Sequence, residues 1–218
     1  MTITTYNSLK EATAEWLDRA GEMALLNRFD DFLVLTEQRI YYGKDAVPSL
    51  QLPRCEPLRI RQMELIDSAF ALTDGVAQPN RFLELLQATL NSPRRALAVV
   101  AEAVLDSHGE DSGGQVIEIA NSGTSFRCWP TGGGTVTLRY FARMDTPAAD
   151  GTNWLLTNAP GVYLNGCIAE AALHTADHET ARLHLALYAA DVTALNERRN
   201  AELAHAGNVR MRLRSWMP

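Results

Sequence analysis

The sequence is 218 residues long, 46% hydrophobic and 21% charged, with a formal net charge of −6. That is enough chain to bury a real core, as one large domain or two small ones. Weak acidity argues against a body that grips DNA by its phosphates, because each such contact needs a Lys or Arg; a wall that DNA slides past stays compatible with it. No apolar run reaches the roughly eighteen residues of a membrane span. The first residues, MTITTYNSLKEA, lack the basic start and apolar stretch of a secretory signal. Cys55, Cys128 and Cys167 are far apart, odd in number and without CxxC spacing. They read as reduced thiols of a cytoplasmic product, not as a disulfide frame or a zinc site.

The chain begins with helical grammar. Thr5 or Ser8 can cap a first helix, Ser8 and Glu11 have capping-box spacing, and Gly21 ends or bends it. Leu9, Trp16 and Leu17 supply its apolar stripe. A second helix is expected from about Met23 to Tyr42, with Leu25, Phe29, Phe32, Leu33, Thr36 and Ile40 on one side. Asp30, Glu37, Arg39 and Lys44 fall mostly elsewhere.

Pro48, Pro53 and Pro57 then rule out a continuing helix. Strand-like segments follow at 59–72, 82–90 and 94–100, with a turn at Asn91-Ser92-Pro93 and a brief helix at 99–107. After the loop 108–114 come strand candidates at 115–120, 124–129 and 135–144. In the last, Val136, Leu138, Tyr140, Ala142 and Met144 alternate with Thr137, Arg139, Phe141 and Arg143. Asn121-Ser122-Gly123 and Gly132-Gly133-Gly134 are the expected hairpin turns.

Helix returns at Thr152. The Ala-rich stretch 161–173 predicts one helix, with Gly166 and Ala169 small enough for close approach by a neighbour. Asp177 caps another that runs to about Ala206, roughly 40 Å long at 1.5 Å per residue. Leu187, Tyr188, Val192 and Leu195 form its apolar edge. The expected class is α+β: a helical hairpin over 1–46, a β-rich insert over 47–150, helices completing the bundle over 151–206 and an extended arm over 207–218. The arm, NVRMRLRSWMP from Asn208, holds three arginines and a Trp and no acid. Arg210, Arg212 and Arg214 alternate with apolar residues up to Trp216, which suits either a segment that docks in a partner's groove or a plain disordered tail.

Candidate chemistry is thin. Glu110-Asp111-Ser112-Gly113-Gly114 echoes the nucleophile loop of trypsin-like proteases, yet only His108 precedes it as a base, and helices stand where a double β-barrel is needed. It reads as a surface loop. Glu170, His174 and His178 are spaced by four, as metal ligands on one helix would be, but Thr175-Ala176-Asp177 breaks the alignment. The Gly132–Gly134 triplet lacks the Lys-Ser/Thr of a phosphate-binding loop. Asp30 and Asp31 face different ways on a helix. No catalytic residue, cofactor site or metal site is expected.

The run from Thr152 is the most informative part of the chain. Thr152, Asn153, Trp154, Leu155, Leu156, Thr157, Asn158 and Pro160, followed by Val162, Tyr163, Leu164 and Gly166, resembles a signature of phage head–tail adaptor proteins. The opening Thr-Ile-Thr-Thr-Tyr, the Glu-Trp-Leu-Asp-Arg of the first helix and Phe32, Leu35, Glu37, Arg39 and Ile40 of the second are also similar to that family. So is the strand Leu138-Arg139-Tyr140-Phe141-Ala142-Arg143. The match is weak between Leu58 and Asp111, where Gln78-Pro79-Asn80-Arg81-Phe82 stands in place of a Pro-Ala-Asp-Phe segment. The signature itself (Asn153, Trp154, Leu155, Pro160, Tyr163, Gly166) reads as structural, with Trp154 and Leu155 seated on the core and the indole N–H bonded nearby.

The resemblance implies a structural virion protein at the neck. It implies a homo-oligomeric ring, a dodecamer, bound to the portal protein above and to a further tail or neck protein below, with double-stranded DNA passing through unread and no membrane involved. Gly166 and Ala169 would then help neighbouring protomers approach, and Arg210, Arg212, Arg214 and Trp216 would anchor the ring to the portal. Two other classes stay open on the residues alone: a monomeric cytoplasmic binding or regulatory protein, and a small-molecule enzyme with its site in the β insert.

Overall fold

The computed structural model describes residues 2–19, 21–108 and 113–208, leaving aside the side chains of 149–150 and 205–208. Two units divide the chain, Met1–Arg61 with Met144–Pro218 and, inserted between those halves, Gln62–Arg143. The fold is α+β, the first unit helical and the second built on two sheets.

The helical unit opens with α1 (Tyr6–Trp16), the short α2 (Met23–Leu26) and α3 (Phe29–Tyr42). Thr5 caps α1, and its box closes through Ser8: the Ser8 amide donates to the Thr5 hydroxyl at 3.3 Å and the Thr5 amide to the Ser8 hydroxyl at 3.0 Å. Glu11 is not the partner, because Ser8 already occupies the third helical position. Leu9, Ala12, Thr13 and Ala14 form the buried stripe of α1. Trp16, expected within it, is 62% exposed and lies edge-on to His184 with ring centroids 6.0 Å apart. The expected helix 23–42 is interrupted at Asn27-Arg28, where Arg28 leaves helical geometry (φ −100°, ψ 4°). Leu25, Phe29, Phe32, Leu33, Thr36 and Ile40 are all buried as their spacing predicts. Gly43 stops α3 with φ +69°; a Cβ there would stand 2.7 Å from the Cys55 carbonyl oxygen. The proline-rich stretch then folds back on itself through bridges Lys44–Cys55 and Val47–Leu52.

The β unit holds β1 (Glu64–Leu72), β2 (Val76–Ala77), β3 (Phe82–Asn91), β4 (Arg94–Ala96), β5 (Ala98–Val100), α4 (Glu102–Asp106), β6 (Glu118–Ser122), β7 (Ser125–Trp129) and β8 (Gly134–Ala142). One sheet has the antiparallel order β1-β8-β3-β4; the other runs β2-β7-β6-β5, with β5 parallel to β6. The alternation in β8 is real: Val136, Leu138, Tyr140 and Ala142 are buried and share one core with Leu72, Ala88 and Leu90 of their own sheet and Ile119, Phe126 and Cys128 of the other. Segment 94–100 is two strands, not one, because the chain changes sheet at buried Leu97. Asn121-Ser122-Gly123 belongs to a hairpin, as expected. Gly132–Gly134 does not, since it carries the chain from β7 in one sheet to β8 in the other. Glycine is needed there for space: a Cβ on Gly132 would lie 2.1 Å from the Gly114 carbonyl oxygen, and one on Gly133 2.7 Å from that of Leu72.

The helical unit resumes with α5 (Pro147–Asp150), α6 (Trp154–Asn158), α7 (Pro160–His174) and α8 (His178–Asn208). α7 is apolar on nearly all sides and packs against α1, α3, α6 and α8. A helix of that composition belongs at the centre of a core. α8 spans 31 residues, about 46 Å at 1.5 Å per residue. Asp177 accepts from the Thr180 amide at 3.1 Å at its start. Its buried stripe is Ala181, His184, Leu185, Tyr188 and Val192; Leu187, one step round the helix from Tyr188, is exposed.

Candidate functional site: the signature and its polar hub

The Asn-Trp-Leu signature is built around one amide. Asn153 caps α6, its Oδ1 accepting from the Leu156 amide at 2.8 Å. Its Nδ2 donates to the Asp145 carbonyl at 2.8 Å and to the Tyr163 hydroxyl at 2.9 Å. The Tyr163 hydroxyl donates in turn to Glu37 Oε1 at 3.3 Å, and the Thr146 hydroxyl to Glu37 Oε2 at 3.0 Å. One amide thereby ties together the start of α6, the first turn of α7 and the segment that precedes α5, and through Tyr163 it reaches α3. Burial, with the charges of Tyr41 and Glu37 adding to it, pushes the Tyr163 phenol well above its ordinary range, so it stays a neutral donor.

The remaining signature residues divide by exposure. Leu155 and Leu156 are fully buried and seat α6. Trp154, expected as the anchor, is 37% exposed, because the cap geometry turns the first residue of α6 outward while the next two face in. Pro160 opens α7, where a missing N–H costs nothing. Gly166 lies against α3: a Cβ there would stand 2.4 Å from Thr36 Cγ2. That closeness is spent inside the unit, and Ala169 is fully buried. Neither residue is therefore available for a contact between protomers.

A second constellation escaped the sequence reading. Arg39 on α3 is 3% exposed and paired with Glu170 on α7, its Nε donating to Glu170 Oε1 at 3.0 Å and its Nη2 to the same oxygen. An acid inside the Ala-rich, apolar run of α7 was the available signal, since such a residue needs a buried partner. Nearby, Thr36 donates to Cys167 Sγ at 3.6 Å, and burial pushes that thiol up to about 12. Cys55 is raised by burial as well, and all three cysteines are free and buried. Thiols held in this state are poor nucleophiles. On the α8 side of α7, Asn165 bridges His184 Nδ1 at 3.0 Å and Asp191 Oδ2 at 3.2 Å.

The other candidate residues do not converge. Glu170 is engaged by Arg39, and His174 rests against Phe32 instead, with centroids 5.7 Å apart. Glu110, Asp111 and Ser112 of the protease-like loop lie outside the described residues. His108 beside them stacks on Trp129 at 4.1 Å and meets Glu118 at 2.7 Å. In the β unit, a shallow groove of 480 Å³ is lined by Ile66, Gln87, Thr89, Asn91, Arg94, Thr137 and Arg139. It offers hydroxyls, amides and guanidiniums but no carboxylate, imidazole or thiol to move a proton. Arg139 is moreover tied to Glu64. Arg210, Arg212, Arg214 and Trp216 of the arm lie outside the described residues.

The polar groups of the signature thus bond to one another, to backbone and to Glu37 of α3. The sequence profile of the SU10 adaptor protein family matches residues 4–212. No curated protein matches the chain.

Proposed function

The chain belongs to the SU10 adaptor protein family, a phage head–tail adaptor family, and from that premise we propose that it forms a ring between portal and tail and lines the DNA channel. Membership makes it a structural phage protein, a component of the virion that associates with other head or tail proteins. Among the described residues no helix is long and apolar enough to cross a membrane. The proposal adds a dodecameric ring in the neck, held to the portal protein above, bound to a further tail or neck protein below, and open to passing double-stranded DNA. The observation that carries it is the family match over nearly the whole chain. It is supported by a signature whose polar groups are consumed in holding helices together.

Arg210, Arg212, Arg214 and Trp216 are the proposed portal anchor. Arg and Trp are the residues most enriched where binding energy concentrates, and the ten residues after Asn208 contain no acid. A weakly acidic chain, at −6 overall, keeps DNA from adhering while it passes. The test is truncation after Gly207. Co-sedimentation with purified portal protein is expected to be lost while the circular dichroism spectrum and melting transition are kept. Unchanged co-sedimentation would remove the arm from the mechanism. A chain that neither binds portal protein nor assembles in its presence would instead be a monomeric binding protein.

A further inference from the structure

We infer that the ring contact is a helix-on-helix joint in which the outer face of α3 of one copy lies antiparallel on the outer face of α8 of the next. The inference rests on the ring reading above and names the surfaces that make it. α8 carries two apolar stripes. The inner one is covered by α7, while the outer one keeps Leu183 at 59% and Leu187 at 44% exposure, flanked by exposed Ala186, Ala190 and Ala194. A helix apolar on two sides is normally covered on two sides. α3 shows the same excess, with Val34 at 51%, Leu35 at 44% and Tyr42 at 64% exposure outside its buried face.

The two outer faces point in different directions. α3 packs on the Gly166 side of α7, where Thr36 approaches, and α8 packs on the Gly161 and Asn165 side, where Asp191 approaches. Gly166 and Asn165 are successive residues, about 100° apart round a helix. Two unlike apolar patches facing different ways are what a head-to-tail, ring-closing contact requires; a two-fold contact would need only one self-complementary patch. The patches also fit in size. Val34, Leu35 and Tyr42 are bulky, and the surface between Leu183 and Ala194 is mostly alanine, so large side chains meet shallow ground.

Charge selects the copy and the direction. The α3 face is bracketed by exposed Asp31 and Lys44, and the α8 face by exposed Glu179 and Arg198. Laid antiparallel, Asp31 meets Arg198 and Lys44 meets Glu179; laid parallel, each end sets like charges together. Arg198 is 79% exposed and pairs with Glu202 of its own helix at 3.5 Å, a solvent-facing contact it can exchange for one outward. The α8 bracket is the longer one, and the extended side chains of Lys44 and Arg198 span the difference.

Disulfide trapping tests this in the full-length chain, because its own three cysteines are buried. Leu35→Cys and Leu187→Cys replace exposed residues and leave the core alone. Upon oxidation, the double variant is expected to give a ladder of multimers and an equal mixture of the single variants a dimer, with neither single variant linking to itself. Light scattering on the same samples, with and without purified portal protein, reports whether rings form. Rings without a ladder, or a single variant that links to itself, would overturn the α3–α8 joint and leave the ring standing. Absence of any assembly in either condition would overturn both.

Discussion

Asn153 contributes more to the signature than Trp154 does, because its amide makes three bonds to three different parts of the helical unit. Asn153→Ala removes a helix cap and leaves the Tyr163 hydroxyl short of a donor. We expect a loss of about 2 kcal/mol in urea unfolding, combining a cap with a buried polar group left unpaired. Trp154→Ala, at an exposed site, is expected to change stability far less. A loss as large as that of Asn153→Ala would show that the indole anchors α6 after all. His184 makes the helical unit sensitive to acid. Burial lowers its pKa below the ordinary 6.5, so the folded state holds it neutral while the unfolded chain still takes up a proton. Its contribution is therefore complete above pH 6.5 and is lost as pH falls below that value. Between about pH 7 and 5.5, a window spanning that titration, the urea midpoint of the wild type is expected to fall more steeply than that of His184→Gln; parallel curves would assign the acid sensitivity elsewhere.

The α3–α7 contact depends on two details that behave in opposite ways. Gly166→Ala drives a methyl to within 2.4 Å of Thr36 Cγ2, and overpacking of this kind costs about 1–3 kcal/mol. Thr36→Ser deletes the offending methyl, so the double variant should recover part of the melting temperature lost by Gly166→Ala; no recovery would place the strain elsewhere. Arg39→Met leaves the Glu170 carboxylate buried without its partner, a loss of about 3–5 kcal/mol. Arg39→Met with Glu170→Leu is expected to be much milder in the same thermal measurement, since a buried pair replaced whole is often neutral. These contacts mark how far the sequence could be read. The stripe of α2 and α3 from Leu25 to Ile40 and the alternation of β8 were legible because periodic burial writes itself into the pattern. Arg39 was not, because a charge reads as solvent-facing until its partner on a distant helix is known. The Gly132–Gly134 link has the local pattern of a hairpin and is not one for a similar reason: which strands pair is decided across the sheets and not along the chain. The polar hub was legible only in part, since Asn153 and Tyr163 stand in the signature while Glu37 and Thr146 come from outside it.

The helical unit is assembled from the two ends of the chain, and the β unit occupies the stretch between them. Each half of the helical unit exposes what the other covers, α3 lacking α7 and α7 lacking both α1 and α3. Residues 1–61 and 144–218 produced as separate chains are therefore expected to be poorly structured alone and to co-purify as a helical complex when expressed together. Circular dichroism of each piece and of the mixture checks this; a first piece that folds unaided would mean that α7 is dispensable to it. Residues 62–143 carry their own two-sheet core and should melt as an independent transition. The split also sets an order of synthesis. Arg39 waits 131 positions for Glu170, and α8 leaves the ribosome later still. The β unit can be complete while the helical unit is half-made, so α8 is the last of the described elements to be finished. If copies join through α8 as proposed, they do so only after α1, α3 and α7 have all been made.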